Sequence, residues 1–491
     1  MRAAEEAAFA RGIEVEALMD QAGAGVARAI QQFLPHPGEC IVYAGKGHNG
    51  GDALAAATCL HREGWKIDIR LPFPESDCSE LTRKKLTELR AEIDKDGGKA
   101  RAAKFRPEFA RTIILDGLLG VGAKSFLREP LRATARELNG LRISRNAFVF
   151  AVDLPSGFDG DSGEIDPDSV MADFTITIGF VKHGLITDGA INYVGRIIIV
   201  PLSDLEVGNN RNEFMATAQC LTGLIPPRKF GAYKNHFGRI GVVAGSKGFV
   251  GAALMTAAGA LRAGAGLVEM FVPEEIYDIA ASAAPPEVMV KPTRYKDLLE
   301  KEIDVWAVGP GLGTAANGQR IRDLIERAEQ PMVIDADGLN ILSEQRDVLK
   351  RCRGPRLLTP HPGEMERLFP AGKMTRAGVA RSFCEEYPVT LVLKGSRTVV
   401  AQRDKPLSFN TTGNPGMATG GMGDVLTGVC AGLIEQGISF YDVGRISAWL
   451  CGRSAELAIF HGEHTPQTLL PTDVLKNLGR ALKELDVGFV W

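Results

Sequence analysis

The sequence predicts an α/β protein of two tandem domains, each built on a largely parallel sheet. Two observations lead to that expectation. Short Ile/Val-rich runs without clean polar alternation recur along all 491 residues, separated by helix-length segments. Strands of that kind are covered on both faces by crossover helices. The rhythm breaks once, between about Ser203 and His236, where VGNNRN and IPPRKFGAYKN lack strong periodicity. The boundary is placed there, with domains over 1–210 and 211–491, and a chain of this length suits two domains of medium size.

The elements follow in order. The opening 30 residues read as one helix, with Leu18, Ala22, Val26 and Ile30 on one apolar face. Strands are expected at Cys40–Ala44, Lys66–Leu71, Thr112–Leu115, Phe148–Val152, Phe174–Gly179 and Arg196–Val200. The second series is Arg239–Val243, Leu267–Val272, Val305–Val308, Met332–Ile334, Arg356–Leu358, Thr390–Leu393 and Thr398–Gln402.

Composition narrows the class. Apolar residues at 45% and charged residues at 24% exclude a disordered or fibrous chain. A net charge of -3, from 57 Lys+Arg against 60 Asp+Glu, gives no electrostatic reason to expect nucleic acid or an anionic membrane as partner. The eight cysteines form no C-x-x-C pair and read as reduced thiols of a cytoplasmic protein. His461 and His464 lie three apart in HGEH without an evident third ligand. MRAAEEAAFARG has no apolar core, so it is not read as a signal peptide, and Gly248–Leu261 is too short for a span of about 20 residues. A homo-oligomer is expected.

Three unusual loops follow three strands of the first domain: GKGHNGGD at 45–52, DGLLGVG at 116–122 and DLPSG at 153–157. In an open parallel sheet they emerge on one edge, where ligands bind. Gly45-x-Gly47-x-x-Gly50 matches the dinucleotide fingerprint formally, but the second strand offers no clear acidic residue at its end. That argues against an ordinary NAD hydride-transfer site, while the Gly-rich turn can still present N–H groups to phosphate.

Together with the opening helix and AVDLPSG, these loops resemble the NAD(P)H-hydrate epimerases over about residues 1–205. The resemblance implies a Rossmann-like domain that interconverts the two epimers of hydrated NADH or NADPH. It implies substrate contacts at His48, Asn49, Gly50, Gly51 and Asp52, and at Gly120, Val121, Gly122, Ala123, Lys124, Ser125 and Phe126. It places potassium on Asn49, Asp116 and Ser156, and substrate on Asp153, the candidate proton-transfer residue. His48, Ala53 and Val121 depart from the family's usual Asn, Gly and Thr.

The second domain carries GNPGMATGGMGDVLTG at 413–428. Glycines running into a helix present free N–H groups and a positive dipole end, which suits phosphoryl transfer. Asp424 at the mouth can accept a proton from an attacking hydroxyl, and no Walker-type G-x-x-x-x-G-K-[ST] occurs. The segment resembles the anion hole of ribokinase-like enzymes. With GRIGVVAGSKGFVGAALMTAAGALRAGAGLV, GPGLG, DADGLN, TPHPGE and KGSRT, it is similar to the NAD(P)H-hydrate dehydratases over about 225–491. The resemblance implies a ribokinase-like α/β domain using ADP, with Mg2+, to dehydrate one epimer. It places the hydrated cofactor at Ala252, Gly311, His361 and Asp424, and the nucleotide at Lys394, Gly395, Ser396, Arg397, Thr398 and Gly423. Asp337 stays open between a helix cap and a magnesium contact. The alternative is a ribokinase-like small-molecule kinase with a non-catalytic Rossmann-like sensor domain.

Overall fold

The computed structural model describes residues 2–95, 111–122, 126–205, 212–313 and 318–485. The chain divides into two compact units, 1–210 and 211–491.

In the first unit, β1 (Glu39–Ala44), β2 (Lys66–Arg70), β3 (Thr112–Gly117), β4 (Phe148–Val152), β5 (Phe174–Ile178) and β6 (Arg196–Val200) form one sheet in the order β2-β1-β3-β4-β5-β6. Every neighbouring pair is parallel. The chain runs outward from β1 to β2, then returns past β1 to β3, so the winding reverses between β1 and β3. Beyond the carboxyl ends at that reversal lies the ligand crevice of doubly wound sheets. On one face Ile41 and Tyr43 of β1 pack with Ile114, Val149 and Ala151 against Ala135 and Leu138 of the helix Leu131–Ser144. The helices Val15–Phe33, His48–Arg62 and Glu80–Lys95 pack in series with one another, His48–Arg62 lying against β1.

The single opening helix is corrected to two, Arg2–Ala10 and Val15–Phe33. Gly12 at φ +87 breaks the run, a conformation glycine adopts without the cost a side chain imposes. The four apolar residues of the expected face all belong to the second helix, where each is buried. β3 also runs two residues further than expected, so Asp116 lies in the strand end rather than in the loop.

The second unit holds β7 (Glu213–Met215), β8 (Arg239–Val243), β9 (Leu267–Val272), β10 (Val288–Pro292), β11 (Val305–Val308), β12 (Met332–Ile334), β13 (Arg356–Leu358), β14 (Thr390–Leu393), β15 (Thr398–Gln402) and β16 (Leu407–Asn410). The sheet order is β10-β9-β8-β11-β12-β13-β14-β15-β16-β7. Only the β14/β15 and β15/β16 pairs are antiparallel. Seven strands coincide with those expected; β7, β10 and β16 were not expected. β10 ends in proline, which suits an edge strand. β16 carries Ser408 and Asn410, whose buried side chains break the apolar pattern. β7 is three residues long and owes its strand form to parallel pairing with β16.

Two helices, Val250–Arg262 and Met422–Ile434, pack backbone to backbone. A Cβ on Gly428 would lie 2.0 Å from the Thr256 carbonyl oxygen, and one on Gly432 2.6 Å from that of Ala260. Gly428→Ala must therefore force the helices apart, and denaturant unfolding should show a loss of about 1–3 kcal/mol. Gly479→Ala, in the helix Pro471–Glu484 with nothing within 4 Å of the new Cβ, should instead gain about 0.5–1 kcal/mol.

Candidate functional site

Each unit gathers polar groups on the carboxyl edge of its sheet. In the first, the three loops of interest follow β1, β3 and β4, which are adjacent strands. Asp116 is fully buried, accepting from the Ser156 N–H at 2.7 Å, the Ser156 hydroxyl at 2.7 Å and the Leu118 N–H at 3.2 Å. It caps no helix. Burial outweighs these hydrogen bonds and pushes its pKa up to about 6. The Ser156 hydroxyl accepts from the Leu119 N–H at 3.0 Å, and the Asn49 amide donates to the Leu119 carbonyl at 2.8 Å. Asn49, Asp116 and Ser156 thus converge on one loop.

Asp153 follows β4 with φ +67, a conformation unusual outside glycine. It is nearly buried, and its Oδ1 accepts from the Lys182 ammonium and from the Ile178 N–H. Lys182 also donates to Thr177 and to the Ile178 carbonyl. The sequence reading missed Lys182; its signal was a lone lysine just beyond β5. Burial, then the charges of Asp153 and Glu5, hold the Asp52 carboxyl well above its usual range.

The other expected contacts separate into two kinds. His48 opens the helix His48–Arg62 and is exposed, as are Val121 and Phe126 on the neighbouring loop. Gly50 and Gly51 are buried: a Cβ would lie 2.0 Å from the Gly45 carbonyl oxygen and 2.6 Å from Met19 respectively. Their smallness is required for packing. Ala53 is fully buried against Gly117. Gly120 lies beside Asn49, and Gly122 has φ +101. Ala123, Lys124 and Ser125 lie outside the described residues.

In the second unit, Asp335 follows β12 and is almost fully buried. It accepts from the Lys394 ammonium at 2.6 Å and from the Thr427 hydroxyl at 2.8 Å. Glu364 stands 3.8 Å from the same ammonium. Burial works against the lysine charge, but Asp335 and Glu364 outweigh it and raise the Lys394 pKa. Burial also raises Glu364. Asp424 lies in the first turn of the helix Met422–Ile434, whose N-cap Gly421 has φ +94. Burial and the Asp335 charge push its carboxyl up to about 6 against the pull of Lys394, with Glu364 adding to the rise. A carboxylate poised near neutrality suits a general base.

Asp424 lines a cleft of about 400 Å³ with Ala252, Phe249, Gly420, Gly421 and Leu470. Gly311, at φ +63, sits so close that a Cβ would lie 3.0 Å from that of Ala252. Gly423 borders Lys394 and Asp335. His361 caps the helix Pro362–Leu368, its Nδ1 accepting from the Gly363 N–H at 3.0 Å, while its exposed ring faces Glu364. In 394–398, Gly395 and Ser396 are exposed, Arg397 is buried, and the Thr398 hydroxyl donates to the Gly395 carbonyl. Arg376, missed from sequence, donates to the Leu393, Lys394 and Arg397 carbonyls and braces this turn. Asp335, Glu364 and Thr427 were also missed, although DADGLN and TPHPGE contain the two acids. Asp337 accepts from the Gly313 N–H and the Asn340 amide, so it organises its own turn.

Among the described residues no cluster of three His, Cys, Asp or Glu is arranged to hold a metal ion, and no helix is long and apolar enough to cross a membrane.

A doubly wound first unit and a second with a glycine-led helix mouth and a buried Asp–Lys pair define a two-domain enzyme of the ribokinase-like class. Comparison with known proteins is consistent with both halves. A family described as "YjeF-related protein N-terminus" matches residues 15–184, and NAD(P)H-hydrate dehydratase matches 240–480. The bifunctional NAD(P)H-hydrate repair enzyme of Gloeobacter violaceus is 36% identical over 88% of this chain and 87% of its own. That of Escherichia coli is 32% identical over 98% and 92%. The crystal structure of the ADP/ATP-dependent NAD(P)H-hydrate dehydratase from Bacillus subtilis, co-crystallised with ATP/Mg2+, covers 57% of this chain and all of its own, at 29% identity and a TM-score of 0.50. The chain belongs to the family of bifunctional NAD(P)H-hydrate repair enzymes.

Asp335→Ala should destabilise the second unit by about 3–5 kcal/mol in urea unfolding, since it leaves Lys394 without its closest counter-charge. The paired change Asp335→Leu/Lys394→Met should recover part of that loss, because the buried pair is replaced by apolar groups and only Glu364, 3.8 Å from the lost ammonium, is left without its cation.

Proposed function

We propose that this chain repairs hydrated NADH and NADPH. The first unit epimerises the hydrate, and the second uses ADP to dehydrate the S epimer. The observation that carries the reading is Asp424 at a glycine-led helix mouth, beside a lysine fixed by Asp335, in a chain similar along its length to bifunctional repair enzymes. In the second unit Asp424 takes the proton of the hydrate's hydroxyl, and that oxygen attacks the terminal phosphorus of ADP as its bond to the bridging oxygen breaks and AMP leaves. Lys394 and the free N–H groups from Gly421 onward receive the charge that develops on the phosphoryl oxygens. Phosphate then leaves with its bonding electrons in place of hydroxide, a far poorer leaving group, and loss of a proton from the neighbouring ring carbon restores the double bond. Magnesium needs only one or two protein carboxylates besides phosphate oxygens and water, and Glu364 beside Lys394 is the one that would hold it while Asp424 stays free for the proton.

In the first unit Asp153 and Lys182 are an acceptor and a donor held together at the crevice, the pairing that epimerisation by proton transfer requires. Asn49, Asp116 and Ser156 fit a potassium ion. They supply oxygen donors of one carboxylate, one hydroxyl and one amide, and Asp116 is a buried carboxylate whose hydrogen-bond donors among the described residues are all neutral. A monovalent cation there would offset that charge and tie the three loops. The cytoplasm, where hydrated nicotinamide cofactors arise, is the proposed location.

The direct test is absorbance at the dihydronicotinamide band, with chemically hydrated NADH mixed with protein and either ADP or ATP. Recovery with ADP, faster than with ATP, is expected; no recovery with either nucleotide overturns the reading. Asp424→Ala should lower dehydration by about 10²–10⁴-fold and leave epimerisation unchanged. In wild type, kcat/KM for dehydration should fall as pH drops through about 6, where Asp424 takes up its proton.

Potassium has its own signature. Because burial raises Asp116 from 3.8 to about 6, its contribution to stability is present below the lower value and lost as pH climbs through the upper one. Bound potassium should shrink that loss. Thermal midpoint and epimerisation at neutral pH should therefore be higher in potassium than in tetramethylammonium chloride, and Asp116→Asn should abolish the difference. Equal values for wild type in the two salts would remove the ion site.

A further inference from the structure

A second cavity of about 360 Å³ opens in the second unit, and it shares no lining residue with the cleft that holds Asp424. Its walls come from the segments that follow β9 and β10. These strands are parallel and in register, Pro292 lying opposite Val272, so Pro273–Glu274 and Thr293–Lys296 leave the sheet side by side on its carboxyl edge. The helix Gly318–Arg327 packs against the turn Tyr295–Glu300 and brings Arg320 to the same cavity.

The lining holds three exposed cations, Arg294, Lys296 and Arg320, and none forms an ion pair or side-chain hydrogen bond among the described residues. Glu274 lies in the same lining, yet none of the three has turned to it. Beside them Tyr295 is nine-tenths buried, and its hydroxyl has no hydrogen-bond partner among the described residues. That hydroxyl is not one of the buried polar atoms left unpaired, so it opens to solvent at the cavity it lines, and burial of the ring raises its pKa to about 12, so it stands as a donor. Three cations against one lining carboxylate, with a tyrosine hydroxyl at the same cavity, have the composition of a phosphate site, in which arginine forks and a lysine point charge share a dianion.

We propose that this cavity binds a phosphate group, held by Arg294, Lys296 and Arg320 with the Tyr295 hydroxyl as a further donor. Two sources carry that chemistry. One is a phosphate of the dinucleotide substrate itself, since the strand carrying the 245–252 turn of the catalytic cleft, β8, is the neighbour of β9. The other is a separate phosphorylated small molecule.

The test uses the full chain with saturating ADP and Mg2+, so that the glycine-led anion site is filled. Inorganic phosphate is titrated by thermal shift against wild type, Arg294→Gln/Arg320→Gln and Tyr295→Phe, with circular dichroism checking that each variant is folded. A saturable rise in wild type, lost in the double variant and weakened in Tyr295→Phe, is expected. Identical titrations for wild type and double variant overturn the site, whatever the enzyme's activity. Steady-state kinetics then separate the sources. A KM for hydrated NADPH that rises about tenfold more than that for hydrated NADH in the double variant assigns the cavity to the substrate's extra phosphate. Equal rises assign it to the pyrophosphate. Unchanged KM values with lost phosphate binding assign it to a separate ligand. The binding arm stands without the repair reading, which fails only if wild type does not regenerate NADH.

Discussion

The second unit depends on one buried carboxylate. Asp335 sits at the end of β12 and holds Lys394 beyond β14 with one oxygen, and Thr427 in the glycine-led helix with the other. Each partner comes from a different segment, so a single side chain sets the spacing between the lysine and the helix mouth. The pairing also keeps the Lys394 ammonium charged against the cost of burial. Asp424 feels the same carboxylate as a repulsive neighbour, which is one reason its pKa stands near 6. Structural tie and electrostatic tuning are therefore one interaction, and they cannot be altered independently.

The first unit solves a related problem with different chemistry. Asp116 also closes a strand and binds the loop of the next strand, through the backbone and hydroxyl of Ser156. Its donors are neutral, whereas Asp335 has an ammonium. A buried carboxylate stabilised only by dipoles is costly to ionise, and an added cation is the simplest remedy. The contrast explains why a potassium ion is proposed for one carboxyl edge and a resident lysine serves the other. Asp153 with Lys182 is the first unit's own charged pair, set one strand further along the same edge.

Glycine acts in two distinct ways in these sites. At Gly421 the left-handed backbone opens the helix whose first turn carries Asp424 to the cleft. At Gly428 the missing side chain lets two helices touch, which brings the helix bearing Asp424 against the one bearing Ala252.

The sequence by itself determined the α/β class and most strands, because buried parallel strands are near-continuous apolar runs whose signal is local. It also marked Asp116, Asn49 and Ser156 as strand-end residues, and Asp424 through the glycines before it. It did not reveal β7 or β16, whose very short or partly polar sequences become strands by pairing, β16 with β15 and β7 with β16. Nor did it reveal Asp335, Glu364, Lys182 or Arg376 as site residues. Each looks like an ordinary charged residue in a turn, and its meaning depends on a partner tens of residues away, as with Asp335 and Lys394, 59 apart. Arg356 shows the same limit in the core: it is buried in β13 without a carboxylate partner, satisfied by the carbonyls of Ile325, Ala328, Gln330 and Pro355. Local pattern decides which segments are buried; which charge meets which partner is decided by the sheet order that brings distant strand ends together.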